Sequence, residues 1–132
     1  TMQNHPEYAD LRGEVEDFLL TQARALRAAG VAPQRIMLDP GFGFGKTMDQ
    51  NYQLLRDLAG QGSPYPLLVG VSRKSMIGAA TGRAVDQRLP GSLAAALAGA
   101  ARGAAVLRVH DVAATVDALK VWRAVETGVI ST

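Results

Sequence analysis

The sequence predicts an α/β fold built on a parallel sheet. Two observations carry this. Three short apolar runs, at 36–38, 66–71 and 105–109, are continuous rather than alternating, the pattern of strands covered on both faces. Each run is also followed by a segment long enough to return over the sheet as a helix, as parallel pairing requires. The order read along the chain is αβαβαβα, which a doubly wound sheet and a (β/α)8 barrel satisfy equally.

The first helix is read over residues 8–30, where Leu11, Val15, Phe18, Gln22, Leu26 and Ala29 recur at steps of three and four, an apolar stripe interrupted once by Gln22. Gly30 stops it. Ile36-Met37-Leu38 is too short for a helix and bounded by turn formers, hence a buried strand. A glycine-rich loop follows over 40–46. Asp49 is expected to cap the next helix, whose buried face is Leu54, Leu55 and Leu58, before Gly60, Gly62 and Pro64 end it. Residues 66–71 form the second strand. A polar stretch with Gly78, Gly82 and Pro90 leads to 92–102, whose alanine and leucine content dictates helix and permits close packing. Residues 105–109 form the third strand, and Asp111 opens a last helix carrying Val112, Val116, Leu119 and Trp122.

Three parallel strands alone would expose two unpaired edges, a poor design for an independent domain. A barrel of this kind takes about 250 residues, close to twice the 132 present, and the chain begins at Thr1 rather than at methionine. The expectation is that an N-terminal half lies outside this sequence.

Composition narrows the function. With 48% hydrophobic and 20% charged residues the chain is of the globular class. The net charge is +2, and the fourteen lysines and arginines are scattered rather than gathered into a stripe, which argues against nucleic acid. Without cysteine there is no disulfide framework or thiolate metal site, and two histidines are too few for a ligated zinc centre. No apolar run approaches the roughly 20 residues of a membrane span, and the polar start TMQNHPEYAD is no signal peptide. A cytoplasmic protein is expected.

In α/β folds of both kinds ligands bind beyond the C-terminal ends of the strands. Asp39 ends the first strand, Ser72-Arg73-Lys74-Ser75 follow the second, and Arg108 and His110 sit at alternate positions where the third exits. All three groups should converge on one face, with Arg108 and His110 pointing to the same side. Each has a plainer reading: Asp39 as a turn or cap residue, His110 as a satisfied structural histidine, Arg73 and Lys74 as solvated charges. Together they make a positive pocket holding one carboxylate. The loop Gly41-Phe42-Gly43-Phe44-Gly45-Lys46-Thr47 is neither a Walker loop, because Pro40 stands where the first glycine is needed, nor a dinucleotide fingerprint, because its pattern is G-x-G-x-G. Its glycines still allow a ligand close approach, while Phe42 and Phe44 offer either a flat apolar surface or core packing. His5 reads as solvated and Trp122 as packing.

Leu38-Asp39-Pro40-Gly41-Phe42-Gly43-Phe44-Gly45-Lys46, Val71-Ser72-Arg73-Lys74-Ser75-Met76-Ile77-Gly78 and Leu107-Arg108-Val109-His110-Asp111-Val112 together closely resemble the C-terminal signatures of the dihydropteroate synthase family. Each alone is moderately specific; in this order, each at a strand end, they are hard to obtain by accident. The similarity covers nearly the whole chain and implies that residues 1–132 are the C-terminal portion, about strands 6 to 8 with helices 5 to 8, of a pterin-binding (β/α)8 TIM barrel. The first five strands have no counterpart here. Pro90, where many relatives differ, is tolerable in a first helical turn.

The resemblance implies condensation of 6-hydroxymethyl-7,8-dihydropterin pyrophosphate with p-aminobenzoate, giving 7,8-dihydropteroate and pyrophosphate in folate biosynthesis. Asp39 would bind the pterin amino group and adjacent ring N–H, Lys74 the pterin and the aminobenzoate side, Ser75 the aminobenzoate carboxylate. Gly43 and Phe44 would line the aminobenzoate pocket. Arg108 would lie along the pterin and help hold the pyrophosphate, which His110 would reach. Lys74, Arg108 and His110 form the implied catalytic set. Loss of pyrophosphate would leave a pterin cation for the amine to attack, so placement and electrostatics suffice without a covalent nucleophile. The resemblance also implies Mg²⁺ held mainly by substrate pyrophosphate, with its protein ligand in the missing half, and a homodimer. The isolated chain is expected to be inactive. Two other readings stand beside this one: a pterin-binding, corrinoid-dependent methyltransferase domain, against which the anion-binding clusters argue, and a noncatalytic half-barrel module.

Overall fold

The computed structural model describes residues 6–43 and 45–131. Helix α1 (Pro6–Ala28) leads through a 3₁₀ turn at Pro33–Arg35 to Leu38; α2 (Met48–Arg56) follows the glycine loop, and a second turn at Gly60–Gly62 precedes β1 (Leu68–Val69). Then come α3 (Ser75–Thr81), a turn at Val85–Gln87, α4 (Leu89–Ala101), β2 (Val106–Leu107) and α5 (Val112–Thr127). The expected parallel α/β arrangement is present. β1 pairs with β2 in parallel, and Leu38 makes a parallel bridge to Leu67 on the other edge of β1.

Strands are shorter than the apolar runs suggested. Of 36–38 only Leu38 enters a ladder, its N–H bonded to the Pro66 carbonyl and its carbonyl to the Leu68 N–H. Met37, in the same run, is exposed.

Register decides which residues share a face. Leu68 pairs with Val106 and Val69 with Leu107, while Leu38 pairs with Leu67. Side chains alternate across a strand, so Leu38, Leu67, Val69, Val71 and Leu107 share one side. Leu38, Leu67, Val69 and Val71 are buried and Leu107 packs against their core. Continuing the same register, Asp39, Gly70, Ser72, Arg108 and His110 share the other side, turned away from the covering helices.

The larger core gathers Phe42, Leu54, Leu55, Val69, Val71, Met76, Ile77 and Ala95. Phe42, Val69, Met76 and Ile77 are fully buried, each such side chain contributing about 1.5–3 kcal/mol. Phe42 is therefore core rather than a ligand surface. Ile36, Leu38, Leu67 and Ala23 form a second cluster, on which Leu19 and Leu20 pack. This corrects part of the first helix: Leu11 of the expected stripe packs on the larger core, but Phe18 and Leu26 are exposed, and the second cluster is met by buried Ala23 with half-buried Leu19 and Leu20.

Three further local expectations change. Thr47, not Asp49, caps α2: its hydroxyl accepts from the Gln50 N–H, and the Gln50 side chain accepts from the Thr47 N–H, a reciprocal capping box. The polar stretch after β1 contains α3, anchored by Met76 and Ile77. On α5, Val112 and Val116 stay exposed and Thr115 is the buried residue; with Leu119, Trp122, Leu107 and Val109 they line an open groove of about 760 Å³ beside β2. No helix among the described residues is long and apolar enough to cross a membrane.

Candidate active site

Because Leu38, β1 and β2 run parallel, their C-terminal ends lie on one side of the sheet, and the three expected groups follow those ends. Asp39 comes first. Its Oδ1 accepts the Gly41 N–H at 2.9 Å, a short turn that starts the glycine loop. Lys46 closes the loop, donating from Nζ to the Gly41 carbonyl at 2.7 Å. From the far side Lys74 donates its Nζ to the Phe42 carbonyl, also at 2.7 Å. Two ammonium groups thus hold adjacent carbonyls of one loop, with Asp39 at its root.

These charges act on one another. Burial lowers the Lys74 pKa from the ordinary lysine value, the Arg108 guanidinium and Lys46 lower it further, and Asp39 works in the opposite sense. Burial likewise lowers that of Lys46, opposed by Asp39. One carboxylate, two ammonium groups and a guanidinium therefore share a single field. Asp39, Lys74 and Arg108, expected together from sequence, are brought together.

Arg108 is placed by what lies beneath it. Its N–H joins the ladder to the Val69 carbonyl at 2.9 Å. Its side chain crosses Gly70, the residue beside it in the register; a Cβ built there would stand 2.7 Å from Nη2 and 3.0 Å from Nε. Gly70 leaves the space the guanidinium occupies. One step along the same face, the Ser72 hydroxyl meets His110 twice, accepting its N–H at 3.3 Å and contacting ring Nδ1 at 3.0 Å. Ser72 is buried, so it fixes the ring from below.

Ser75 is the first residue of α3 and exposed, directly after Lys74. Gly43 is exposed at φ +93°, its N–H bonded to the Oδ1 of buried Asn51 at 2.7 Å. A Cβ at Gly43 would touch the Lys74 side chain at 3.6 Å. Phe44 and His5 lie outside the described residues. Arg73 turns to the start of α5, its Nη2 donating to Asp111 Oδ1 at 2.9 Å.

Sequence reading placed Ser72 in the converging groups without its contact to His110, and missed Lys46, Asn51 and Gly70 as parts of this site. Lys46 carried a signal, a basic residue ending a glycine loop beside a carboxylate. Asn51 carried none, because nothing in a helical pattern marks which polar residue turns inward.

The family of pterin binding enzymes matches residues 1–110. The chain belongs to the pterin binding enzyme family. Within that family it is similar to the dihydropteroate synthase of Neisseria meningitidis serogroup C, with 56% identity over 126 residues, 93% of this chain and 44% of that protein. Among solved structures, Burkholderia cenocepacia dihydropteroate synthase complexed with 7,8-dihydropteroate superimposes with a TM-score of 0.83 and 52% identity, covering 90% of this chain and 45% of that one. Xanthomonas albilineans dihydropteroate synthase with 4-aminobenzoic acid gives a TM-score of 0.85 and 51% identity, covering 89% and 45%. The expected resemblance to dihydropteroate synthases is borne out, and places this pterin binding enzyme in a TIM-barrel family. The chain spans less than half the length of these relatives.

Proposed function

We propose that this chain forms the C-terminal portion, about strands 6 to 8 with helices 5 to 8, of a (β/α)8 barrel that acts as a dihydropteroate synthase. The observation that carries the reading is the gathering of Asp39, Lys46, Lys74 and Arg108 at the strand ends, the first three bonded to one glycine loop and Arg108 laid over Gly70. A lone carboxylate among cations suits a neutral heterocycle presenting an amino group and a ring N–H to Asp39, while its anionic substituent faces Arg108 and His110. The relatives solved with 7,8-dihydropteroate and with 4-aminobenzoic acid support this choice of ligands.

In this reading the bond between the pterin methylene carbon and the pyrophosphate oxygen breaks, and the electron pair leaves on pyrophosphate. Arg108 and His110 stabilise that charge as it develops. The aromatic amine, held between Lys74, Ser75 and Gly43, then bonds to the methylene carbon and loses a proton. A desolvated Lys74 fits the role, since an ammonium drawn out of water interacts more strongly with a bound acceptor. Magnesium does not fit the side chains of this chain. Asp39 shares its surroundings with two ammonium groups, Asp111 is matched to Arg73, and no group of three or more metal-binding side chains occurs among the described residues. A divalent ion would be carried by the substrate's pyrophosphate oxygens and by residues elsewhere in the barrel. A cytoplasmic homodimer completes the proposal.

The test is p-aminobenzoate-dependent pyrophosphate release by the full-length gene product supplied with the pterin pyrophosphate. Methyl transfer to a corrinoid without pyrophosphate release would overturn the reading in favour of the methyltransferase alternative; pterin binding without any turnover would favour the noncatalytic module.

A further inference from the structure

Arg73 is the one non-glycine residue at positive φ among the described residues, at +58°. Side chains adopt this conformation at a cost, and it persists where the surroundings over-determine it. Here they do so on three sides. The Arg73 N–H donates to the Oγ of buried Ser92 at 3.0 Å. Its guanidinium is matched to Asp111. Its carbonyl accepts from Nη1 of Arg88 at 2.9 Å, a residue fifteen positions on in the turn before α4. Arg88 is itself seated, since its Nε donates to the Arg83 carbonyl at 3.0 Å. Its guanidinium also lies so close to α3 that a Cβ on Gly78 would stand 2.4 Å from Nη2. A glycine inside a helix is unfavourable locally, and this one opens the seat that Arg88 fills.

The next residues are Lys74 and Ser75. Rotating the Arg73 backbone to ordinary φ would swing the following peptide and carry the Lys74 Nζ away from the Phe42 carbonyl it reaches at 2.7 Å. We infer that Arg88 is a positioning residue for the candidate active site, holding Arg73 left-handed and so fixing Lys74 and Ser75 against the glycine loop. It touches no ligand in this account. The inference rests on the synthase reading only for the identity of those ligands; the conformational claim stands apart from it.

The experiment is Arg88→Ala in the full-length gene product, read in two ways. In its crystal structure Arg73 should leave positive φ and Lys74 should lose the Phe42 carbonyl; an unchanged Arg73 and Lys74 would overturn the inference whatever the activity. In steady-state kinetics the KM for p-aminobenzoate should rise at least fivefold and kcat/KM fall roughly 10- to 100-fold, as a misplacement of about 1 Å does. A purely structural role would lower kcat with the folded fraction and leave both KM values within twofold, and that result also counts against the inference. Adding Arg73→Gly, which lets residue 73 take φ +58° unaided, should recover part of the lost kcat/KM. Should Arg88→Ala fail to fold, Gly78→Ala displaces the guanidinium while keeping its charge, and the same two readouts decide. A wild-type protein without synthase activity would sink the functional reading alone, since the crystallographic readout still judges Arg88.

Discussion

The placement of Arg108 over Gly70 allows a substitution in which stability and activity separate. In Gly70→Ala the new Cβ would stand 2.7, 3.0 and 3.2 Å from Nη2, Nε and Cζ of Arg108, where ordinary contact begins near 3.4 Å. The backbone resists little, because Gly70 does not sit at positive φ and alanine fits a strand end. Removing a glycine also restricts the unfolded chain, worth about 0.4–1 kcal/mol in favour of folding. What yields is the far end of a flexible side chain, which must move by roughly 0.7 Å or more. Stability should therefore change by less than about 1 kcal/mol. A ligand bond from that guanidinium, worth about 1.5–3 kcal/mol when charge-assisted, should be lost, lowering kcat/KM roughly 10- to 150-fold. Pyrophosphate release measured beside a thermal melt reads both quantities on one sample. Arg108→Ala should produce a similar loss, and the two substitutions together should not add, because both remove the same contact. A kcat/KM within threefold of wild type, or full additivity in the double variant, would refute the assignment of Gly70.

Other perturbations follow from the same geometry. Asp39→Asn removes the charge that opposes the lowering of the Lys46 and Lys74 pKa values, so pterin affinity measured by calorimetry should fall about 10- to 150-fold, and the Lys74 pKa should drop further in a direct titration. Asn51→Ala leaves the Gly43 N–H without its partner at 2.7 Å and takes one of two donors from the Thr47 carbonyl, which keeps the residue 51 N–H; it should cost about 1–3 kcal/mol of stability, seen in urea unfolding, and weaken p-aminobenzoate binding. For pH, Lys74 has a folded-state pKa lowered by burial, so the unfolded chain binds more protons between that value and 10.5. Its contribution is present above 10.5 and lost as pH falls through the folded value. The stability difference between wild type and Lys74→Met, followed by urea midpoints from pH 8 upward, should shift in favour of wild type as pH rises.

Much of the site was legible because it depends on chain direction alone. Once 36–38, 66–71 and 105–109 are read as parallel strands, Asp39, Lys74, Arg108 and His110 fall at the same end without knowledge of any contact. Alternation then puts Arg108 and His110 on one side, as the Gly70 and Ser72 contacts bear out. Contacts across the chain were not legible. Arg88 reaches the Arg73 carbonyl through a loop, and Arg73 finds Asp111 thirty-eight positions away; no periodicity encodes either. Helix α3 was missed because its seven residues SMIGAAT hold two adjacent apolar residues rather than a stripe. The capping box at Thr47 was readable as Thr-x-x-Gln, and Asp49 drew attention from it.

Among the described residues no strand pairs with the outer edge of β2, which bears on the site as much as on the fold. Val106, Val112 and Val116 remain 40%, 61% and 41% exposed around the groove beside that strand. Covering such side chains is worth about 25 cal/mol for each Å² of apolar area removed from water. A further parallel strand laid against β2 would bury them and satisfy its outer backbone groups. Being parallel, that strand would also bring its own C-terminal end beside Arg108 and His110. In the proposed barrel these two residues would therefore face a neighbour from the other half, whereas Asp39 and Lys74 are already held by the glycine loop. On the proposed reading the pterin side of the pocket would be largely built within this chain, and the pyrophosphate side would depend on the strand that joins β2. A 132-residue polypeptide of this sequence should accordingly retain more affinity for a pterin lacking the pyrophosphate, relative to the full-length protein, than for pyrophosphate itself; equal losses for both ligands in calorimetry would contradict that division of the site.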